Sequence, residues 1–145
     1  MKDYLKRQKK LFNKKQQQQL EKLNIMIAGT GGLGTNQALQ LQRVGVNKIY
    51  LYDYDQVEIT NLNRQLCYGK KDIGRPKVEA AAEFLKGFDL ETEIVARNEK
   101  ISMATKIPEN IDIIFDGMDN FESRFILDQL ALENELPFIH AGIEG

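Results

Sequence analysis

Apolar positions along this chain fall into two alternating patterns. Leu23–Ala28 is a short apolar run followed by a stretch with helical spacing over about Leu33–Val44, which stops at Gly45. Lys48–Asp53 reads as a second strand, so the three pieces form a strand–helix–strand unit of the usual size. A long connection, about Tyr54–Arg75, comes next. Pro76 then occupies a first-turn position and opens an Ala-rich helix to about Lys86. Glu91–Arg97 alternates like a strand, and Ile111–Phe115 is a nearly continuous apolar strand. A helix over Phe121–Glu133 and a last strand over Pro137–Ala141 complete the pattern. Strands that alternate with helices predict an α/β fold: a doubly wound, mostly parallel sheet with helices on both faces and a right-handed crossover in each unit.

Ahead of that domain, residues 1–22 carry Lys2, Lys6, Arg7, Lys9, Lys10, Lys14, Lys15 and Lys22 against only Asp3 and Glu21. Tyr4, Leu5, Leu11, Phe12 and Leu20 recur on one helical face, which predicts a basic amphipathic helix. The domain division expected is therefore a helix over 1–22 and a Rossmann-like domain over 23–145. Over the whole chain the charge is balanced: 20 Lys and Arg against 21 Asp and Glu leave a net charge of −1, which offers no footprint for nucleic acid. No apolar run is long enough to span a bilayer and no signal-peptide pattern opens the chain, so a cytoplasmic location is expected. A single cysteine, Cys67, excludes an internal disulfide and a multi-cysteine zinc site within these residues.

The junction of the first strand and helix reads Gly29-Thr-Gly31-Gly32-Leu-Gly34. In that context Gly29 serves the tight turn, Gly31 lets backbone approach a phosphate, and Gly34 lets helix and strand pack closely. The helix N-terminus behind them favours an anion. Asp53 ends the next strand about twenty residues beyond Gly34, where a carboxylate accepts from a ribose hydroxyl. These two features alone would suit an NAD-dependent enzyme.

Three others point to a triphosphate. Asn61-Leu-Asn63-Arg64-Gln65 is dense in donors for phosphate or base, and Arg64 can fork onto phosphate oxygens. Lys77 begins a helix, where a cation opposes the dipole unless an anion is present. Asp116 and Asp119, with Asn120, form a carboxylate pair at a strand end that suits Mg²⁺ held together with phosphates. Bland alternatives stand beside each: a solvated Lys77, and Asp119 or Asn120 as the cap of the helix from Phe121. His140, the only histidine, has no cysteine or carboxylate partner evident in sequence and reads as structural; Cys67 lies in the loop after Gln65 and does not read as a nucleophile.

Five blocks together, Gly29–Gly34, Asp53-Tyr-Asp55, Asn61–Gln65, Gly74-Arg-Pro-Lys77-Val-Glu79 and Asp116–Asn120, resemble the ThiF/MoeB/HesA adenylyltransferases, relatives of ubiquitin-activating E1 enzymes. The resemblance implies ATP as the nucleotide, Asp53 on its ribose, Arg64 and Lys77 on its phosphates, Asp119 on Mg²⁺ and Asn120 nearby in the pocket, with Asp55 in the matching block. It implies formation of an acyl-adenylate on the C-terminal Gly-Gly carboxylate of a ubiquitin-like sulfur-carrier protein. A homodimer is implied as well, with Arg7 of one subunit reaching the ATP site of the other. The family's second half, with its Cys-x-x-Cys zinc pair and, in many members, a catalytic cysteine, has no counterpart in these residues. Two other readings follow: a truncated, non-catalytic nucleotide-binding or dimerisation module, or a tRNA-modifying dehydratase of the same family.

Overall fold

In the computed structural model, which describes residues 2–142, five strands form one sheet. They are β1 (Asn24–Ala28), β2 (Lys48–Asp53), β3 (Glu93–Asn98), β4 (Ile113–Asp116) and β5 (Phe138–Ile139). Met1 and residues 143–145, the outer ends of the two predicted domain ranges, lie outside the described residues. The spatial order is β3-β2-β1-β4-β5, and every neighbouring pair is parallel. The chain thus winds outward from β1 to β3, then returns to the other side of β1 for β4 and β5. A crevice forms where the winding reverses, between β1 and β4 beyond their carboxyl ends.

The central strands β1, β2 and β4 are apolar between their polar end residues because both sheet faces are covered there, whereas the edge strand β3 carries Glu93, Arg97 and Asn98. On one face Ile25, Ile27, Ile49 and Leu51 pack with Ala38 of α2 (Gly32–Val44) and with Val78, Ala81 and Leu85 of α3 (Lys77–Lys86). On the other, Met26, Tyr50, Tyr52 and Ile114 meet Leu127 and Leu130 of α4 (Phe121–Glu133). The pairing Ile25↔Ile49 and Met26↔Tyr50 holds this alternation in register. Each fully buried Ile or Leu contributes about 1.5–3 kcal/mol.

The N-terminal segment is not the single helix its periodicity predicts. Asp3–Lys10 is a 3₁₀-helix, and a separate short α-helix, α1, runs over Lys14–Leu20. Asn13 causes the break: its Oδ1 accepts from Gln16 N–H at 2.9 Å, while the Gln16 side chain accepts from Asn13 N–H at 2.9 Å. Such a reciprocal cap starts a new helix at the residue that would otherwise sit inside an old one. The expected stripe splits accordingly, with Leu5 buried and Leu11 exposed. Leu5 packs on Gly45, and Gln8 and Gln17 both donate to the Val44 carbonyl, so this segment seals the C-terminal end of α2.

Candidate functional site

A crevice of about 390 Å³ opens at the carboxyl ends of β1, β2 and β4. The structure brings together there Gly29, Gly31, Gly32, Asp53, Asp55, Arg64, Gln65, Lys77, Asp119 and Asn120 from five separate segments. Besides Asp116, which is buried beneath the crevice, four residues singled out from sequence are elsewhere. Gly34 lies behind the loop, Asn61 and Asn63 lie off the crevice, and Arg7 sits at the far end of α2, about 20 Å away along its 13 residues.

The glycines divide into two roles. Gly29 has φ +90°, and a Cβ there would stand 2.5 Å from the Gly117 carbonyl oxygen; a Cβ on Gly34 would stand 1.7 Å from the Gly29 carbonyl oxygen. These two lock the turn against the end of β4 and the start of α2. Gly31 and Gly32 instead have room, with their nearest neighbours at 3.5 Å (Gln65 Nε2) and 3.6 Å (the Arg64 carbonyl). Gly31 is the N-cap of α2 and supplies no side-chain cap, so the first-turn N–H groups face the crevice as an anion cradle.

Above the cradle, Gln65 is buried, and its Oε1 finds no hydrogen-bond partner among the described residues. Arg64 is exposed, its guanidinium resting on the Thr60 carbonyl at 2.9 Å and Asn63 Oδ1 at 3.0 Å. Those neutral acceptors leave its charge uncompensated. Lys77 is buried at the start of α3, with Asp55 Oδ2 3.5 Å from its Nζ. A buried cation at a helix N-terminus with one long, half-exposed ion pair fits an anion better than it fits solvent. Asn61 has a different task from the one its sequence suggests: its Oδ1 accepts from Glu58 N–H at 2.9 Å and closes the turn that presents Arg64.

At the end of β4 the carboxylate pair does not converge. Asp116 is fully buried; its Oδ1 accepts from Met118 N–H at 2.8 Å and its Oδ2 faces His140 Nδ1 at 2.5 Å and Arg124 Nε at 3.5 Å. His140 therefore does have a carboxylate partner, one that a separation of 24 positions hides from sequence. Asp119 is exposed to the crevice and accepts only from Asn120 Nδ2 at 3.3 Å, while Asn120 caps α4 through Ser123 N–H at 2.9 Å. Among the described residues no three His, Cys, Asp or Glu side chains gather to hold a metal. One free carboxylate beside a phosphate cradle nonetheless fits Mg²⁺, which takes one or two carboxylates and completes its shell with phosphate oxygens and water.

Thr30, Tyr68, Glu99, Ser123 and Arg124 were not legible as site residues, although three of them line the crevice directly. Arg124 had a usable signal: a cation in the first turn of a helix, as at Lys77. Its Nη2 donates to the Met118 carbonyl at 2.8 Å and braces the loop that carries Asp119. Cys67 is buried, and burial pushes its thiol up to about 11, with a hydrogen bond to Thr35 opposing, so it is an inert core residue rather than a nucleophile.

Comparison with known proteins identifies the relatives of this chain. The ThiF family matches over residues 5–145. The adenylyltransferase and sulfurtransferase MOCS3 of Aedes aegypti is 33% identical over 125 residues, 85% of this chain and 29% of that protein. The SAMP-activating enzyme E1 of Haloferax volcanii is 33% identical over 121 residues, 82% of this chain and 45% of that protein. Among solved structures, E. coli tRNA N6-threonylcarbamoyladenosine dehydratase, TcdA, in complex with AMP superposes with a TM-score of 0.83 at 25% identity, covering 90% of this chain and 55% of that one. The chain spans less than half the length of both curated relatives.

Proposed function

The chain belongs to the ThiF family, and from that premise we propose that it is the ATP-binding portion of an E1-like adenylyltransferase. Its acyl substrate in this reading is the C-terminal Gly-Gly carboxylate of a ubiquitin-like sulfur carrier, and it works in the cytoplasm. One observation carries the proposal: Arg64 and Lys77 border the open Gly31–Gly32 cradle at a helix N-terminus, a density of positive charge that a triphosphate uses and a dinucleotide does not.

In the reaction a carboxylate oxygen of the carrier attacks the α-phosphorus of ATP. The bond from that phosphorus to the bridging oxygen of the β-phosphate breaks, and the products are acyl-adenylate and pyrophosphate. Gly31 and Gly32 cradle the phosphates by their backbone N–H groups. Asp53 accepts from the ribose. Arg64 and Lys77 neutralise charge that builds on the departing pyrophosphate, the main catalytic need in such a transfer. Asp119 would hold Mg²⁺, which supplies further charge neutralisation when bound, and Asn120 fixes the loop beside it. Because Arg7 lies at the far end of its own subunit, its part in the reaction requires a homodimer in which it enters the partner's crevice.

The likeness to TcdA favours a second reading, a dehydratase that adenylates a small carboxylate on tRNA. The net charge of −1 supports it less than it supports a protein substrate. Alanine variants of Arg64, Lys77 and Asp119 test the shared ATP site: each is expected to weaken ATP–Mg²⁺ binding about tenfold or more, and equal affinity in all three would overturn it. ATP–pyrophosphate exchange that depends on a Gly-Gly carrier rather than on tRNA separates the two substrates.

A further inference from the structure

The two oxygens of the Asp53 carboxylate are unequally committed. Oδ2 accepts twice from one residue, from the backbone N–H of Thr30 at 2.8 Å and from the Thr30 hydroxyl at 3.0 Å. Oδ1 accepts only from the N–H of Asp55, at 2.9 Å. A carboxylate oxygen offers about two acceptor positions, so Oδ2 is filled and Oδ1 keeps one. Asp53 lines the crevice, so that single position is what it can offer a ligand there.

Thr30 is itself pinned. It is fully buried, and its carbonyl accepts from the hydroxyl of Tyr68 at 2.5 Å. Tyr68 is a buried residue of the connection between β2 and α3, the same segment that carries Arg64 and Gln65. On the preceding side Gly29 N–H donates to the Tyr52 carbonyl at 2.7 Å, which ties the turn to the strand that ends in Asp53. The peptide of Thr30 is thus gripped from opposite sides, by Tyr68 at its carbonyl and by Asp53 at its N–H and hydroxyl. Neither backbone closure nor core packing requires the hydroxyl, because Gly29 and Gly34 make the turn.

We infer that Thr30, held by Tyr68, is a positioning residue that determines sugar specificity: it fixes the rotation of the Asp53 carboxylate so that Oδ1 alone receives one ribose hydroxyl. This rests on the nucleotide reading of the crevice. A carboxylate held at both oxygens pays little to meet its ligand, whereas one that loses the Thr30 hydroxyl keeps only the backbone N–H on Oδ2, regains an open acceptor position there and can offer either oxygen to a ribose hydroxyl. The expected effect is on discrimination between ribose and deoxyribose, over and above any loss of stability.

The test compares Kd for ATP, 2′-deoxy-ATP and 3′-deoxy-ATP, each with Mg²⁺, in the wild-type chain and in Thr30→Val, Thr30→Ser and Tyr68→Phe, with Tm recorded for each. The wild type is expected to bind one of the two deoxynucleotides about tenfold or more weakly than ATP, as loss of a hydrogen bond to a charged group requires. Thr30→Val keeps the shape of the side chain and is expected to reduce that ratio below about threefold, Thr30→Ser to retain it, and Tyr68→Phe to lie between. If Thr30→Val weakens all three nucleotides in proportion and leaves the ratio unchanged, the hydroxyl is merely structural and the inference is overturned. A wild type that binds ATP and both deoxynucleotides equally also overturns it, while leaving the ATP site intact. A wild type that binds no ATP overturns both together.

Discussion

His140 Nδ1 lies 2.5 Å from Oδ2 of Asp116, which ties the end of β5 to the end of β4 through a fully buried carboxylate. Arg124 Nε at 3.5 Å and the Met118 N–H at 2.8 Å complete the ring of donors around it. The loop that presents Asp119 to the crevice is therefore supported by its own turn bond, from Met118 N–H to Asp116, and from beneath by the contacts of Arg124 and His140 with the same carboxylate. Asp116→Ala removes the shared acceptor and leaves Arg124 without a carboxylate. It is expected to cost about 3 kcal/mol of folding stability in urea denaturation. His140→Ala, at a half-exposed side chain, is expected to cost about 1 kcal/mol. Equal, small losses in both variants would mean that Asp116 is not the organising group.

The division among the glycines predicts opposite outcomes for the same substitution. Gly34→Ala sets a Cβ 1.7 Å from a backbone oxygen and Gly29→Ala sets one 2.5 Å from another at φ +90°, so both are expected to unfold at markedly lower temperature than wild type. Gly31→Ala meets nothing nearer than 3.5 Å and is expected to keep the wild-type Tm within a few degrees while losing ATP affinity. Thermal melts with and without ATP–Mg²⁺ check this directly. A Gly31→Ala chain that binds ATP normally would remove the cradle from the site.

Alkaline pH probes the packing beneath the crevice. Burial pushes the Cys67 thiol from its ordinary value of 9.0 up to about 11, and burial likewise raises the neighbouring Tyr68 phenol. The folded chain then holds these protons more tightly than the unfolded chain. The contribution of Cys67 to stability is complete below pH 9 and is lost as pH rises through 11, whereas that of Tyr68 begins to fall only above pH 10. Tm is expected to fall between pH 9 and pH 11, and Cys67→Ala to flatten part of that fall. A Tm profile that Cys67→Ala leaves unchanged would place the thiol in contact with solvent.

Legibility in the sequence followed the range of the interactions. Lys48–Asp53 and Phe121–Glu133 are readable to the residue, because a doubly covered strand is apolar between its charged ends and Asn120 caps its helix through a contact three residues away. Most of the crevice was also readable, since Gly29, Asp53, Lys77 and Asp119 each follow a strand end or begin a helix. What escaped depends on contacts across the fold. Asp116 and His140 meet only because β5 lies beside β4, and Tyr68 reaches Thr30 across 38 residues. Asn61 looked like a ligand donor because its turn-closing partner, Glu58, is not distinguishable from any other nearby residue until the turn forms. The N-terminal segment reads as one helix because periodicity sees apolar spacing and not the cap that Asn13 makes.

Calorimetric titration of this chain with ATP–Mg²⁺, and in parallel with NAD⁺, bears most directly on the crevice. Saturable binding of ATP without binding of NAD⁺ is expected, because Arg64 and Lys77 border a cradle suited to three phosphates. Preference for NAD⁺ would contradict the roles given to Lys77 and Asp119 and return the site to an ordinary dinucleotide-binding crevice.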